Sequence, residues 1–151
     1  MSSAPNTPLI FSGEFCHALD SKNRVTVPAR WRSGDADEFF LLADRGGGFL
    51  RVMPPAQFRA VGEKLASNPA ITPKDRAVFL RHFYSRSQQV VVDKQGRMLV
   101  PEDLGRAIGL QGEAVLVGAH ETFELWNPEI WAQTKQGEQA TFDRVADLVG
   151  L

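Results

Sequence analysis

Cysteine is almost absent from this chain of 151 residues, which contains only Cys16. A single cysteine excludes an internal disulfide framework and is typical of proteins in a reducing compartment. We expect Cys16 to be a small buried residue and not a nucleophile. No apolar run reaches the ~18 residues of a membrane span, and the first residues, MSSAPNTP, lack the basic and apolar regions of a signal peptide. These absences favour a cytoplasmic protein without a membrane partner.

The sequence also has little that suits catalysis. Its three histidines, His17, His82 and His120, are scattered, and no HExxH, GxSxG, P-loop or CxxC pattern occurs. The glycine run at 46–48 lacks the GxGxxG spacing of a phosphate-binding loop. Cys16 and His17 are adjacent, and adjacent residues of a strand point to opposite faces, so they do not indicate a metal site. We therefore expect no enzyme activity, no catalytic residues, no metal and no cofactor.

An excess of charge of one sign is lacking as well, because the net charge is −1. This balance excludes a uniformly basic nucleic-acid-binding protein. The distribution is uneven: residues 1–101 carry 14 basic and nine acidic side chains, whereas residues 102–151 carry three and nine. Any positive potential that matters must therefore be local. The two basic runs are Lys22, Arg24, Arg30 and Arg32, and Lys74, Arg76, Arg81 and Arg86.

One short motif occurs twice. LDSKNRVTVPA at 19–29 matches VDKQGRMLVPE at 92–102, with an offset of 73 residues. The identical positions are Asp20, Arg24, Val27 and Pro28 in the first copy and Asp93, Arg97, Val100 and Pro101 in the second. About one identity is expected by chance in such a window, so we interpret the motif as part of a duplicated unit. Units of about 45 residues are marginal alone, and the two copies are therefore expected to share one core.

Each copy has the pattern of strand, tight turn, strand, short helix, strand, strand and helix. Asn23 and Gly96 occupy the fourth position of the two turns, and both residue types tolerate a positive φ. A hairpin tip made of a type I turn and a left-handed residue is predicted for each copy. Helices are predicted to begin at Pro55, Pro73 and Pro128, with a weaker helix at 138–149. The fold class predicted from these patterns is β-rich α+β.

Acidic and basic side chains at the two turns form the strongest candidate site. They are Asp20, Lys22 and Arg24 in the first copy and Asp93, Lys94 and Arg97 in the second. In one interpretation Asp and Arg form a surface ion pair across each turn, worth ~0.2–1 kcal/mol. In the other, Asp orients Arg, while Arg and Lys point outward toward phosphates or guanine edges, which suit the guanidinium fork. We expect Arg24 to contribute more than Arg97, because Lys22, Arg30 and Arg32 give it a more basic setting.

The residues around the two turns resemble a known family. FSGEFCHALDSKNRVTVPARWR is similar to the amino-terminal signature of MraZ proteins, and VDKQGRMLVPEDLGRAIGLQGEAVLVGAHETFELWNPEIW is similar to their second repeat. The resemblance implies two tandem AbrB-like swapped-hairpin units that form one pseudo-twofold β-barrel with short flanking helices. Asn23 stands where the family usually has Gly. The resemblance divides the chain into a disordered amino terminus (1–9), a first repeat (10–57), a helical connector (58–83), a second repeat (84–130) and a helical tail (131–151).

The same resemblance implies a function. MraZ proteins form ring-shaped homo-oligomers that bind double-stranded DNA at short direct repeats, and we expect a nucleoid-associated regulator that represses its own division and cell wall gene cluster. The DNA-contacting DxxxR loops of the family correspond here to Asp20, Arg24, Asp93 and Arg97, with Lys22 and Lys94 as helpers. The alternative is an AbrB-like protein-interaction scaffold or antitoxin-type module that uses the acidic carboxyl-terminal half.

Overall fold

The computed structural model describes residues 9–34 and 36–151. The predicted disorder of residues 1–9 falls almost entirely on residues outside this part of the chain. Eight strands and four α-helices are found in the described residues. The strands are β1 Glu14–Ala18, β2 Arg24–Thr26, β3 Glu38–Ala43, β4 Phe49–Met53, β5 Gln88–Val91, β6 Arg97–Leu99, β7 Glu113–Gly118 and β8 Phe123–Trp126. The helices are α1 Pro55–Ser67, α2 Pro73–Ser85, α3 Glu102–Ala107 and α4 Pro128–Leu148, and Ala29–Trp31 forms one 3-10 turn.

Six of these strands form one antiparallel sheet in the order β1-β7-β8-β4-β3-β5. The order is pseudo-twofold about the central β8–β4 pair, because each strand on one side corresponds to a strand of the other copy. The first strand of each copy pairs with the third strand of the other copy, β1 with β7 and β5 with β3. The predicted β-rich α+β class is therefore confirmed. A closed barrel is not detected, since no pairing between β1 and β5 is found within the described ranges.

The remaining two strands, β2 and β6, pair only with each other. Val25 lies opposite Met98, and both side chains are fully buried. Side chains alternate between the faces of a strand, so Arg24 and Arg97, the neighbours of this central pair, point away from the core. The prediction that each turn joins two strands of an ordinary hairpin is wrong, because β1 and β5 diverge from β2 and β6 to join the larger sheet.

A single hydrophobic core joins the two copies, as the sequence predicted. An aromatic cluster lies at its centre, where Phe11, Trp31 and Phe123 pack with ring centroids 4.9 to 5.7 Å apart. Trp31 is fully buried, and its indole N–H donates a hydrogen bond to the carbonyl of Ser12 at 2.9 Å. Because Trp31 follows the first turn and Phe123 belongs to the second copy, this cluster fixes the two copies against each other.

The helices begin where the sequence predicts. Thr72 caps α2 by accepting a hydrogen bond from the amide of Asp75 at 3.1 Å, and Asn127 caps α4 by accepting from two amides. The weaker helix predicted at 138–149 is the continuation of α4, which is one helix of 21 residues. Within the part of the chain that the structure describes, no helix is both long enough and apolar enough to cross a membrane.

Candidate functional site

Asp20 closes the first turn with its carboxylate. Oδ1 accepts hydrogen bonds from the amides of Lys22 and Arg24, both at 2.9 Å, and Oδ2 accepts from Nε of Arg24 at 2.8 Å. The amide of Asn23 donates to the carbonyl of Asp20, and Asn23 has a φ of 59°. The predicted tight turn with a left-handed fourth residue is thus confirmed. Asp20 holds both the backbone of the turn and the side chain of Arg24.

The second turn repeats this geometry with different residues. Oδ1 of Asp93 accepts hydrogen bonds from the amides of Gln95 and Arg97, at 2.9 and 2.8 Å, and Oδ2 accepts from Nε of Arg97 at 3.1 Å. Gly96 takes the left-handed position with a φ of 82°. Aspartate at the first position of each motif is therefore required by the turn itself, since its short carboxylate reaches two amides of its own loop.

Pairing of β2 with β6 brings the two turns together. The amide of Val27 donates to the carbonyl of Gly96, and the amide of Val100 donates to the carbonyl of Asn23, both at 2.8 Å. Nη1 of Arg24 lies 3.8 Å from Oδ2 of Asp93, and Nη1 of Arg97 lies 3.7 Å from Oδ2 of Asp20. Four side chains, which we call the turn quartet, therefore form one ion-paired cluster. Its members are Asp20, Arg24, Asp93 and Arg97.

Both carboxylates of the turn quartet are stabilised in their charged form, because their pKa values are lowered. The backbone amide of Arg24 is the largest influence that lowers the pKa of Asp20, and its guanidinium and the amide of Lys22 act in the same direction. The backbone amide of Arg97 lowers the pKa of Asp93 in the same way, and desolvation opposes both shifts only in part. The two carboxylates are therefore charged at neutral pH, and they hold both arginines in fixed positions.

The turn quartet is half-buried, and the two lysines beside it are exposed. The side chains of the quartet are 28 to 31% exposed, while Lys22 and Lys94 are open to solvent. Four cations against two carboxylates give this surface a formal charge of +2. Nε of each arginine donates to the aspartate of its own turn. The contact of Nη1 with the aspartate of the other turn is longer than a normal hydrogen bond. Nη2 of Arg97 also donates to Oε1 of Gln95 at 3.4 Å, whereas the outer edge of Arg24 remains available to a planar acceptor.

The structure separates the basic residues that lie close together in the sequence around Arg24. Arg30 packs over the ring of Phe15, with its guanidinium carbon 5.4 Å from the ring centroid. Arg32 crosses to the second turn and lies over Gly96. The larger contribution of Arg24 compared with Arg97 stays a prediction. The sequence assigned Arg32 only to the basic run around Arg24, and its contact with Gly96, 64 residues away in the chain, had no local signal.

Other reactive residues do not assemble a second site in the described ranges. Cys16 is exposed, contrary to the expectation that it is buried, and its thiol lies 3.9 Å from the carboxylate of Glu113. Partial desolvation, followed by the negative charge of Glu113, raises the pKa of Cys16. No group of three or more histidine, cysteine or acidic side chains with the geometry of a metal site is found among the residues that the structure describes.

Comparison with known proteins gives consistent matches over most of the chain. A family model described as "MraZ protein, putative antitoxin-like" matches residues 10–81 and 83–149. A protein named transcriptional regulator MraZ from Natranaerobius thermophilus is 36% identical over 141 residues, which cover 93% of this chain and 96% of the relative. The protein of the same name from Desulforamulus reducens is 38% identical over 140 residues, which cover 93% of this chain and 97% of the relative. The one from Desulfitobacterium hafniense is 37% identical over 144 residues, covering 94% and 99%.

Proposed function

The chain belongs to the MraZ family, and on that basis we propose that it is a transcriptional regulator that binds double-stranded DNA without catalysis. The binding surface is the turn quartet together with Lys22 and Lys94. We also propose that the protein recognises short direct repeats upstream of its own division and cell wall gene cluster and represses that cluster. Its proposed location is the cytoplasm, at the nucleoid.

The observation that carries this proposal is the joining of two DxxxR turns into one rigid, positively charged surface. The two carboxylates balance the charge of the two arginines, and the two exposed lysines therefore make the surface cationic. The turn amides fix Asp20 and Asp93, and these fix Arg24 and Arg97, so little side-chain freedom is lost on binding. A preorganised arginine fork is suited to a guanine edge or a phosphate, and a lysine is suited to a phosphate.

We also propose that the strand exchange is the AbrB-like swapped-hairpin arrangement. The strand before each turn belongs to the larger sheet, and the strand after it belongs to the β2–β6 pair. The connection between the two sheets is therefore equivalent in both copies. The six-stranded and two-stranded sheets would together be the pseudo-twofold barrel of that arrangement. This geometry places both turns on the same side of the core.

A second part of the proposal is assembly into a ring. The last turns of α4 carry an apolar stripe that nothing in the described chain covers, with Phe142 63% exposed and Val149 67% exposed. A different apolar surface, made by Val78 and Phe79, is exposed on α2. Exposed apolar patches of this kind are typical of protein contacts. Two different surfaces that meet head to tail produce a closed ring when the rotation closes, and the occupant we propose is a second copy of the chain.

Multivalent binding explains how a nearly neutral chain binds DNA. A single turn quartet makes few phosphate contacts, so its affinity alone is low and falls with salt. When several chains of one ring engage spaced repeats, each later contact becomes intramolecular, and the overall affinity rises by ~10²–10⁴. Only the surface that carries the turns needs to be basic, which agrees with a net charge of −1.

The binding surface is tested by fluorescence anisotropy with the DNA upstream of the gene and with a scrambled duplex. Arg24→Ala and Arg97→Ala should each weaken binding to the upstream duplex by the ~1–3 kcal/mol of one base contact. Arg59→Ala, an exposed arginine on α1, is the matched control because it removes the same charge away from the turns. Undiminished affinity in both turn variants, with unchanged assembly size, would contradict the assignment.

The ring is tested by light scattering coupled to size-exclusion chromatography. Phe142→Glu places a charge within the apolar stripe of α4 and should reduce the mass of the assembly. Ala140→Glu adds the same charge on the opposite side of α4 and should leave the mass unchanged. If both variants keep the mass of the parent, α4 is not the contact. If the parent is a single chain that captures a different protein at fixed stoichiometry and retains no DNA, the antitoxin-type alternative is favoured.

A further inference from the structure

Arg32 lies flat against the backbone of the second turn. A Cβ atom added to Gly96 would be 2.4 Å from Nη1, 2.6 Å from Cζ and 3.1 Å from Nε of Arg32. Heavy atoms do not approach so closely, so the guanidinium occupies the space that any other side chain would need. Gly96 therefore serves the second turn in two ways, because it adopts the positive φ and leaves room for a cation.

The first turn has no arginine at the position that corresponds to Arg32. The arginine that lines the cleft beside Asn23, Arg106, pairs with Glu102 at 3.4 Å. At the offset of 73 residues that relates the two copies, Gly105 corresponds to Arg32, and Asn23 corresponds to Gly96. Arg32 of the first copy thus lies against Gly96 of the second, whereas the corresponding residues for the first turn are Gly105 of the second copy and Asn23 of the first. The aspartates of the two turns accept equivalent hydrogen bonds, and the turns differ in the residue that packs against their fourth position.

A cleft of about 300 Å³ opens beside the second turn, and Arg32, Asp37, Asp93 and Lys94 all line it. Its two carboxylates are already engaged, since Asp93 accepts from the amides of its own turn and Asp37 accepts from the amide and hydroxyl of Ser33. Nε of Arg32 is buried and has no hydrogen-bond partner among the described residues. Lys94 is exposed at the rim of the cleft. The described lining is thus formally neutral, but its carboxylates are held by other donors and Nε of Arg32 is left for an anion.

We propose that this cleft binds a backbone phosphate of the DNA, with Arg32 and Lys94 as its ligands. The inference rests on the proposed function and adds to it a phosphodiester subsite that belongs only to the second turn. Arg32 supplies a guanidinium fixed over Gly96, and Lys94 supplies a mobile ammonium group. Contacts of this kind position a protein on the duplex and carry no sequence information. Arg97 then contacts DNA that is held in register by the phosphate beside it.

Arg32→Ala should weaken binding to upstream and scrambled duplexes to similar extents, because a phosphate contact does not depend on sequence. The slope of log K against log salt should become shallower by about 0.9 for each chain that loses one contact. Lys94→Ala should show the same pattern, and this exposed lysine gives a second test if Arg32→Ala disturbs the fold. Arg30→Ala is the matched control, since it removes the same charge two residues away, where the side chain packs over Phe15.

The measurement is a salt-dependent anisotropy titration of each variant, with assembly size and thermal unfolding recorded alongside. Equal losses in Arg32→Ala and Arg30→Ala would overturn the subsite, because they would reflect net charge alone. An unchanged salt slope in both Arg32→Ala and Lys94→Ala would overturn it as well. If Arg24→Ala and Arg97→Ala weaken binding while the cleft variants do not, only the subsite fails. If the parent protein prefers neither duplex and no turn variant changes its affinity, the proposed function fails.

Discussion

Gly96→Ala perturbs the second turn at the position where geometry and packing both restrict the side chain. The backbone there has a φ of 82°, a region that costs an L residue about 1–2 kcal/mol. The added methyl group also displaces the guanidinium of Arg32, whose Nη1 would be 2.4 Å away. Asn23→Ala is the matched change in the first turn, at a φ of 59°, where Gly105 corresponds to Arg32.

The two substitutions should therefore differ in size. Asparagine is several-fold enriched in the left-handed region, so replacing it with alanine should cost under about 1 kcal/mol. Gly96→Ala should cost about 1–2 kcal/mol for the backbone and a further amount for moving Arg32. In the double variant Gly96→Ala/Arg32→Ala the guanidinium no longer blocks the added methyl group. The loss in free energy of unfolding of the double variant should therefore be smaller than the sum of the losses of the two single variants, by at least about 0.5 kcal/mol.

Urea unfolding followed by tryptophan fluorescence measures these free energies, because Trp31 lies in the core that joins the two copies. All variants must be compared at one chain concentration, since assembly contributes to the apparent stability. Two results would show that Arg32 does not restrict residue 96. One is a cost of Gly96→Ala no greater than that of Asn23→Ala. The other is additivity of Gly96→Ala and Arg32→Ala within about 0.3 kcal/mol, which would mean that the two residues do not touch.

Three further predictions concern acid stability, thiol reactivity and the core. The pKa values of Asp20 and Asp93 are lowered, so the stability that these carboxylates contribute is complete above the ordinary carboxyl pKa and is lost as the pH falls through the lowered values. In a variant with both residues changed to Asn, the stability should therefore depend less on pH below about pH 4. Acid unfolding followed by circular dichroism measures this difference. Cys16, whose pKa is raised, should react with iodoacetamide at pH 8 more slowly than a free cysteine peptide, and Glu113→Gln should accelerate the reaction; equal rates in the parent and the peptide would contradict this. Trp31→Ala should cost about 3–5 kcal/mol in urea unfolding, and a cost under about 1 kcal/mol would be incompatible with a fully buried indole.

The turns and helix starts were predictable because residue type determines them locally. Asn23 and Gly96 tolerate the positive φ that closes each turn, and both adopt it. Thr72 and Asn127 accept hydrogen bonds from the first amides of their helices, as capping residues do. These features depend on only a few neighbouring residues. The shared core also followed from length alone, since neither copy is large enough to bury its own apolar side chains.

Strand pairing was not predictable in the same way. Each turn looks like the end of a hairpin, yet Cys16 pairs with Val115 and Val25 with Met98. Which strands pair depends on how the two copies bury their apolar faces together, and a local pattern of alternating residues carries no information on that choice. For the same reason the sequence placed Arg32 beside Arg24, its neighbour along the chain, whereas the exchange of strands brings it to Gly96.

Both turns should form the surface that contacts DNA. Hydrogen–deuterium exchange followed by mass spectrometry, with and without the upstream duplex, tests it without any substitution. We predict slower exchange on DNA binding in peptides that cover 19–26 and 92–99, and unchanged exchange in α1. Protection confined to α1 or α4, with both turns unaffected by saturating DNA, would contradict the claim.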